Sequence, residues 1–334
     1  MSIKRNALLI LVPLSAAAFL LSAGCGGSTD PDEAAGEPAP RERDIPEGAV
    51  KRTPENDAFP PVLLAAGWED PVPLEGPMNT AGAEDAPVIS PDGDTFLFFF
   101  TGDVNVPPYM QINHGTNGAT GIWWSRREGG VWTEPERIVT WNDDTLDGPF
   151  WLSGDSLWYG SFRSDNQTED GDIYVSVFDG SAWSLGRQAG DRLNQELNIG
   201  ELCVTPSGDT LIYHATGGAG GLDLWMIERT GSSWSSPAGL GAAVNGAGDE
   251  GWPALSPDGT ELWYTAESAS GYTGPALWRS LRRPDGSWGS PEEIVANFAG
   301  DPAVDADGNV YFTHHFVTGD ITIIEADIYV IRRR

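Results

Sequence analysis

From Pro60 to the carboxyl terminus, apolar and polar residues alternate with a period of two in short runs broken by glycine, proline and aspartate. No stretch keeps the 3.6-residue period of a helix, so the pattern predicts strands. The runs also recur. A strand, turn and strand stand in "APVISPDGDTFLFFF" from Ala86, "GPFWLSGDSLWYGSF" from Gly148, "ELCVTPSGDTLIYHA" from Glu201, "GWPALSPDGTELWYTA" from Gly251 and "DPAVDADGNVYFTHH" from Asp301. Their turn glycines, Gly93, Gly154, Gly208, Gly259 and Gly308, are about 50 to 60 residues apart, a spacing that fits one multi-stranded sheet per repeat.

A second unit follows each hairpin, a short strand with a central aromatic: "GIWWSRR", "DIYVSVF", "DLWMIER", "ALWRSLR" and "DIYVIRR". A third unit is a tryptophan with proline three residues on, as in Trp132/Pro135, Trp234/Pro237 and Trp288/Pro291, while Trp183 keeps only the tryptophan. The last repeat ends without this third unit, and an orphan copy with Trp68 and Pro71 precedes the first. If the orphan completes the last repeat, the two ends of the chain pair and no sheet edge is left open. The expected fold is therefore all-β, a five-bladed β-propeller of four-stranded blades over residues 60–334, closed by an amino-terminal strand in the last blade.

"SPDG" before alternating aromatics, "GGLDLW", "GSWSSPAGLGAAVN" and "DEGWPALSPDG" together resemble the WD40-like propeller repeats, called PD40, of the TolB type found in bacterial envelope proteins. The resemblance covers the chain after residue 59 and implies a binding platform more than any one activity. The chain departs from TolB in having five repeats and no separate amino-terminal α/β domain.

The first residues change the picture. Lys4 and Arg5 precede an apolar run from Ala7 to Leu21, which has the form of an export signal, and "LSAGC" follows. Small residues before Cys25 resemble the lipobox of bacterial lipoproteins, which implies cleavage after residue 24 and a lipid on Cys25. Residues 25–59, rich in proline, glycine and charge, are expected to be a flexible tether. The resemblance places the protein in the cell envelope, outside the cytoplasm, anchored to a bacterial membrane and by preference the outer one. Cys203 is then the one remaining thiol. No intrachain disulfide can form, and Cys203 in "ELCVT" reads as a small buried residue.

Glycine at 42, proline at 25 and tryptophan at 14 residues against four methionines suit short strands and turns. A net charge of −30 repels phosphate backbones, which excludes nucleic acid as a partner and favours cations or basic groups. The expected associations are the membrane, through the lipid, and a protein or glycan partner of a monomeric propeller.

Within each hairpin the turn lies at one end, so strand starts and second-strand ends meet on the opposite face. That face collects Glu84, Asp85, Asp147, Glu201, Glu250, Trp252 and Asp301, with His214 and His314 six residues after their turn glycines and His315 beside them. Carboxylates here would suit a hard divalent cation such as calcium, and imidazoles a transition metal. The plainer reading is that the acids close turns at strand starts. No cofactor is required by any motif, although "SDNQTEDGD" from Ser164 to Asp172 is loosely calcium-loop-like. The first expectation is thus a non-catalytic binding module working through this acidic face. The alternative is hydrolytic: Asp85, Asp147 and Glu201, from three consecutive repeats, resemble the two aspartates and one glutamate of five-bladed glycoside hydrolases, which need an acid and a base or nucleophile.

Overall fold

The computed structural model describes residues 41–106, 108, 111, 119–141, 145–168 and 171–334. The export-signal segment and Cys25 lie outside the described residues. The described chain is nearly all strand, with one α-helical turn at Asp191–Asn194 and two 3-10 turns. No helix among the described residues is long and apolar enough to cross a membrane.

Hydrogen bonds join the strands into four sheets. Three are antiparallel meanders starting from Asp147–Ser153, Leu202–Val204 and Glu250–Leu255. The fourth contains two such meanders, starting from Ala83–Ile89 and Ala299–Val304, which touch through one parallel pairing of Ala326 with Ala83. These five starting strands pack in sequence order, each against the next, and Ala299–Val304 packs against Ala83–Ile89. Sheets arranged radially around their first strands are a β-propeller.

Both faces of each sheet are buried, which explains runs such as Phe96–Phe100 with no polar residue between them. Phe96, Phe98 and Phe100 pack with Tyr311, Ile328 and Val330 of the last repeat. Leu97, pointing the other way, packs with Leu152, Leu157 and Tyr159 of the second. The core is thus divided among the gaps between neighbouring sheets. Cys203 is buried in one of them, and burial raises its thiol pKa.

The orphan segment joins the carboxyl-terminal strand. Val72 and Pro73 pair with Val330 and Tyr329, and Trp68 bridges to Arg333. Val62–Leu63 adds a further strand to the sheet of the fourth repeat, a pairing that the repeat pattern does not predict.

One expectation needs correction. Arg41–Phe59, read from composition as free tether, lies against the propeller. Arg41 is buried beside Glu84, Lys51 Nζ meets Glu325 at 2.6 Å and also Asp327, and Asp57 Oδ2 is 2.7 Å from His314 Nε2. Phe59 meets the ring of Phe298 edge-on at 5.6 Å. Composition misses this because the anchoring groups are charged, and their partners stand far along the chain.

Neighbouring repeats are latched at their inner ends. The second strand of one repeat offers an acceptor to a backbone N–H on the inner strand of the next: His214 Nδ1 to Trp252 at 3.2 Å, Thr265 Oγ1 to Asp301 at 2.9 Å, and Thr313 Oγ1 to Ala86 at 3.2 Å. Trp252, Asp301 and Ala86 share a left-handed backbone, with φ of 51, 51 and 48°. Each sits where the register shifts at a β-bulge, a device that redirects a side chain. Thr265→Val removes one acceptor at nearly constant volume and is expected to cost about 1–3 kcal/mol in urea unfolding. A loss within the error of the wild-type curve would show that the latch is not stabilising.

Candidate active site

Counting back from the turn places the site. Glu84, Ile199, Glu250 and Ala299 occupy one position of the repeat, Asp85, Gly200, Gly251 and Gly300 the next, and Ala86, Glu201, Trp252 and Asp301 the one after that. The second repeat has a turn two residues shorter, since Ser153 pairs with Ser156 where Ser90 bonds to Thr95. Asp147, Gly148 and Pro149 therefore fill its three places. Asp85 stands where every other repeat has glycine. The glycines allow close approach: a Cβ on Gly200 would lie 2.1 Å from His214 Nε2.

The first of these positions closes turns. Glu84 accepts from Thr80 N–H at 2.8 Å and Thr80 Oγ1 at 2.6 Å, and Glu250 accepts from Gly246 N–H at 2.8 Å. Asp147 accepts from Thr140 Oγ1 and, at 3.1 Å, from Thr145 Oγ1. These three carboxyls are committed to their own loops. Asp147 does not line the cavity formed by Asp85 and Glu201.

That cavity, of about 270 Å³, opens among strand starts and second-strand ends, on the face away from the turns. Asp85, Glu201, His315, Thr101 and Asn105 provide its polar side chains, and Phe99, Phe150 and Ile323 are among its apolar walls. Asp301 is 6% exposed and close enough for its carboxyl to be perturbed by both Asp85 and Glu201. The structure thus brings together Asp85, Glu201 and Asp301, rather than Asp85, Asp147 and Glu201.

The three carboxyls differ in surroundings. Asp85 Oδ1 accepts from Thr313 Oγ1 at 2.7 Å and from Ala86 N–H at 2.8 Å, donors that address a carboxylate. Burial pushes Glu201 up to about 8, repulsion by Asp85 adds to this, and a hydrogen bond from the Trp252 side chain opposes it. The indole N–H is the one donor that tryptophan has. Asp301 is raised well above the carboxylate range by burial, then by Asp85 and Glu201. At neutral pH Glu201 is a proton donor beside an ionisable partner, the division of labour that acid–base chemistry needs.

The histidines separate. His214 is buried between Gly200 and Gly251, spends Nδ1 on Trp252 N–H, and is lowered to about 4 by burial, so it is neutral and structural. His314 turns outward to Asp57. His315 lines the cavity with Nε2 4.0 Å from Asp85 Oδ2, and burial lowers its pKa. Among the described residues no group of three or more His, Cys, Asp or Glu has the arrangement to hold a metal ion. In the loop from Ser164, Asp172 accepts from Gln167 N–H at 2.7 Å and Thr168 Oγ1 at 2.9 Å. Glu169 and Asp170 lie outside the described residues.

No family model matches the chain, and no curated protein does. Among solved structures it is similar to a thermostable family-43 glycoside hydrolase, at 12% identity and a TM-score of 0.48, over 77% of this chain and 90% of that one. It is also similar to an α-L-arabinofuranosidase from Lactobacillus brevis, at 11% identity and 0.46, over 75% and 90%. A candidate TolB from Agrobacterium tumefaciens follows at 17% and 0.42, over 76% and 91%. At these scores the chemistry of this chain has to be argued from its own residues.

Proposed function

We propose that the chain is a five-bladed propeller hydrolase that cleaves a glycosidic bond, with Glu201 as general acid and Asp85 as base or nucleophile. The observation that carries this reading is that two carboxyls with opposed surroundings share one cavity: Asp85 is addressed by two donors, while Glu201, half-buried, is held protonated by desolvation and by the charge of Asp85. Glu201 gives its proton to the leaving oxygen, and Asp85 activates water or attacks the sugar. Asp301, next to both and held toward its protonated form by burial and by their charge, leaves Asp85 as the carboxyl best placed to carry the negative charge of the site. A purely binding role on a broad acidic face is less well supported, because Glu84, Asp147 and Glu250 are occupied by their own loops.

The blade count is supported by the ring of inner-strand neighbours, and closure by the pairing of Val72 and Pro73 with the carboxyl-terminal strand. The test of activity is a panel of aryl glycosides and oligosaccharides. Turnover of at least one is expected, with kcat falling by about 10²–10⁴ in Glu201→Gln. Absence of turnover across the panel, or an active Glu201→Gln enzyme, would sink the hydrolytic reading.

The export-signal pattern and "LSAGC" support a lipid anchor on Cys25 in the cell envelope. Cys25→Ala should move the protein from the membrane to the soluble fraction. A variant that still fractionates with membranes would refute the anchor.

A further inference from the structure

We propose that the cavity at Asp85 and Glu201 holds a small organic cation, an apolar group bearing one protonated amine. The inference goes beyond hydrolysis: it concerns what the cavity binds, whether or not a bond is broken there. Four observations converge on it.

The walls are apolar on several sides, with Phe99, Phe150, Val106, Leu146 and Ile323 contributed by separate segments. Carboxyls share this largely apolar space. Asp85 and Glu201 line it, and Asp301 lies next to both. No lysine or arginine is among the described lining residues, so no resident cation balances them. His315, with Nε2 4.0 Å from Asp85 Oδ2, is buried and shifted toward its neutral form.

The fourth observation is a pair of unmet acceptors. Asp301 is 94% buried, yet no donor of the protein reaches either carboxyl oxygen, and the side chain in hydrogen-bond contact with it, Asp85, is another carboxyl. Buried polar atoms are ordinarily paired, and an unpaired carboxyl is costly. Thr101, on the cavity wall, likewise has an unpartnered hydroxyl. An ammonium brings three donors and a positive charge, and so meets both needs of a carboxyl cluster. A neutral hydroxyl brings one donor and no charge. An anion would face three carboxyls with no basic group to receive it. An apolar body on the amine then fills the space between Phe99 and Phe150.

The test pairs two probes of similar shape, benzylamine and benzyl alcohol, in calorimetric titrations of the folded protein at pH 7 and 0.15 M salt. Benzylamine is expected to bind at least about tenfold tighter, and 1.4 kcal/mol of preference corresponds to that factor. Asp301→Asn should remove the preference, and Phe150→Ala should weaken both probes. If Asp301→Asn does not fold, Asp85→Asn serves as the second variant.

Equal binding of the two probes, no binding of either, or a preference untouched by both carboxyl variants would overturn the proposal. The last outcome would mark attraction to the net charge of −30 alone. Failure here and failure of the hydrolytic reading are separable. An enzyme that turns over glycosides but ignores benzylamine refutes the cation site only. A protein that binds benzylamine and hydrolyses nothing refutes the enzyme only.

Discussion

Replacing Glu201 by glutamine is expected to make the protein more stable above pH 8, while removing its activity. Glu201 is held up to about 8 in the folded protein, against an ordinary value of 4.5. Below pH 4.5 it is protonated whether the chain is folded or not, so its ionisation has no effect on stability. Between 4.5 and about 8 the unfolded chain releases the proton and the folded one keeps it, so stability falls as pH rises, by about 1.4 kcal/mol per unit. Above 8 the folded protein carries a buried charge and the loss is complete. Glutamine cannot ionise, so the variant lacks this slope. Asp301, raised by the same burial and the same neighbours, keeps a slope of like sign in the variant. Urea unfolding at pH 4, 6, 7 and 8.5 reads the difference directly. Parallel curves for the two proteins would mean that Glu201 ionises as freely in the folded state as in the unfolded one.

Arg41→Ala should cause a large loss of stability although the residue lies outside both the repeats and the site. The guanidinium is 3% exposed and donates to the carbonyls of Met78 at 2.8 Å and Pro77 at 2.6 Å. It also lies 3.6 Å from Glu84, which is fully buried. The rings of Phe98 and Phe100 face it at 5.1 and 5.4 Å. Removing the cation leaves Glu84 with Thr80 and the weaker influence of Lys51 but without its nearest counter-charge, and two carbonyls without this donor. The expected cost is about 3–5 kcal/mol, on the order of 10 °C in Tm. Adding Glu84→Gln should recover part of it, because the uncompensated charge is then gone. A Tm unchanged by Arg41→Ala would mean that the segment before Pro60 is not docked in solution.

The legibility of this chain differs from residue to residue. The five turn glycines and the aromatic alternation are local signals, and each falls in a hairpin of the structure. Trp68 and Pro71 were readable as a displaced unit because the repeat gave a template for them, and the segment pairs with the carboxyl-terminal strand. Asp85 and Glu201 were visible as acids at strand starts, and both line the cavity. Asp147 was visible in the same way and lies elsewhere, because the short turn of its repeat shifts it to the place of Glu84 and Glu250. Asp301 could have been grouped with Glu201 by counting from the turn glycine. Its partnership with Asp85 could not, since those residues meet only where the last repeat returns to the first.

What the sequence determined by itself is periodic: strand positions, turns, the repeat, the net negative charge and an amino-terminal pattern of export type. These depend on interactions between residues close in the chain, where one residue type at one spacing has one consequence. What only the tertiary structure decided is which side chains share a space. A bulge and a left-handed backbone at Trp252 and Asp301 set where those side chains point. The packing of first against last inner strand sets Asp301 beside Asp85, and charge pairing brings Arg41, Lys51 and Asp57 onto the body. Each of these joins residues distant in sequence, and the acid–base division at the site arises there, because burial and neighbouring charge, not residue type, separate Glu201 from Asp85.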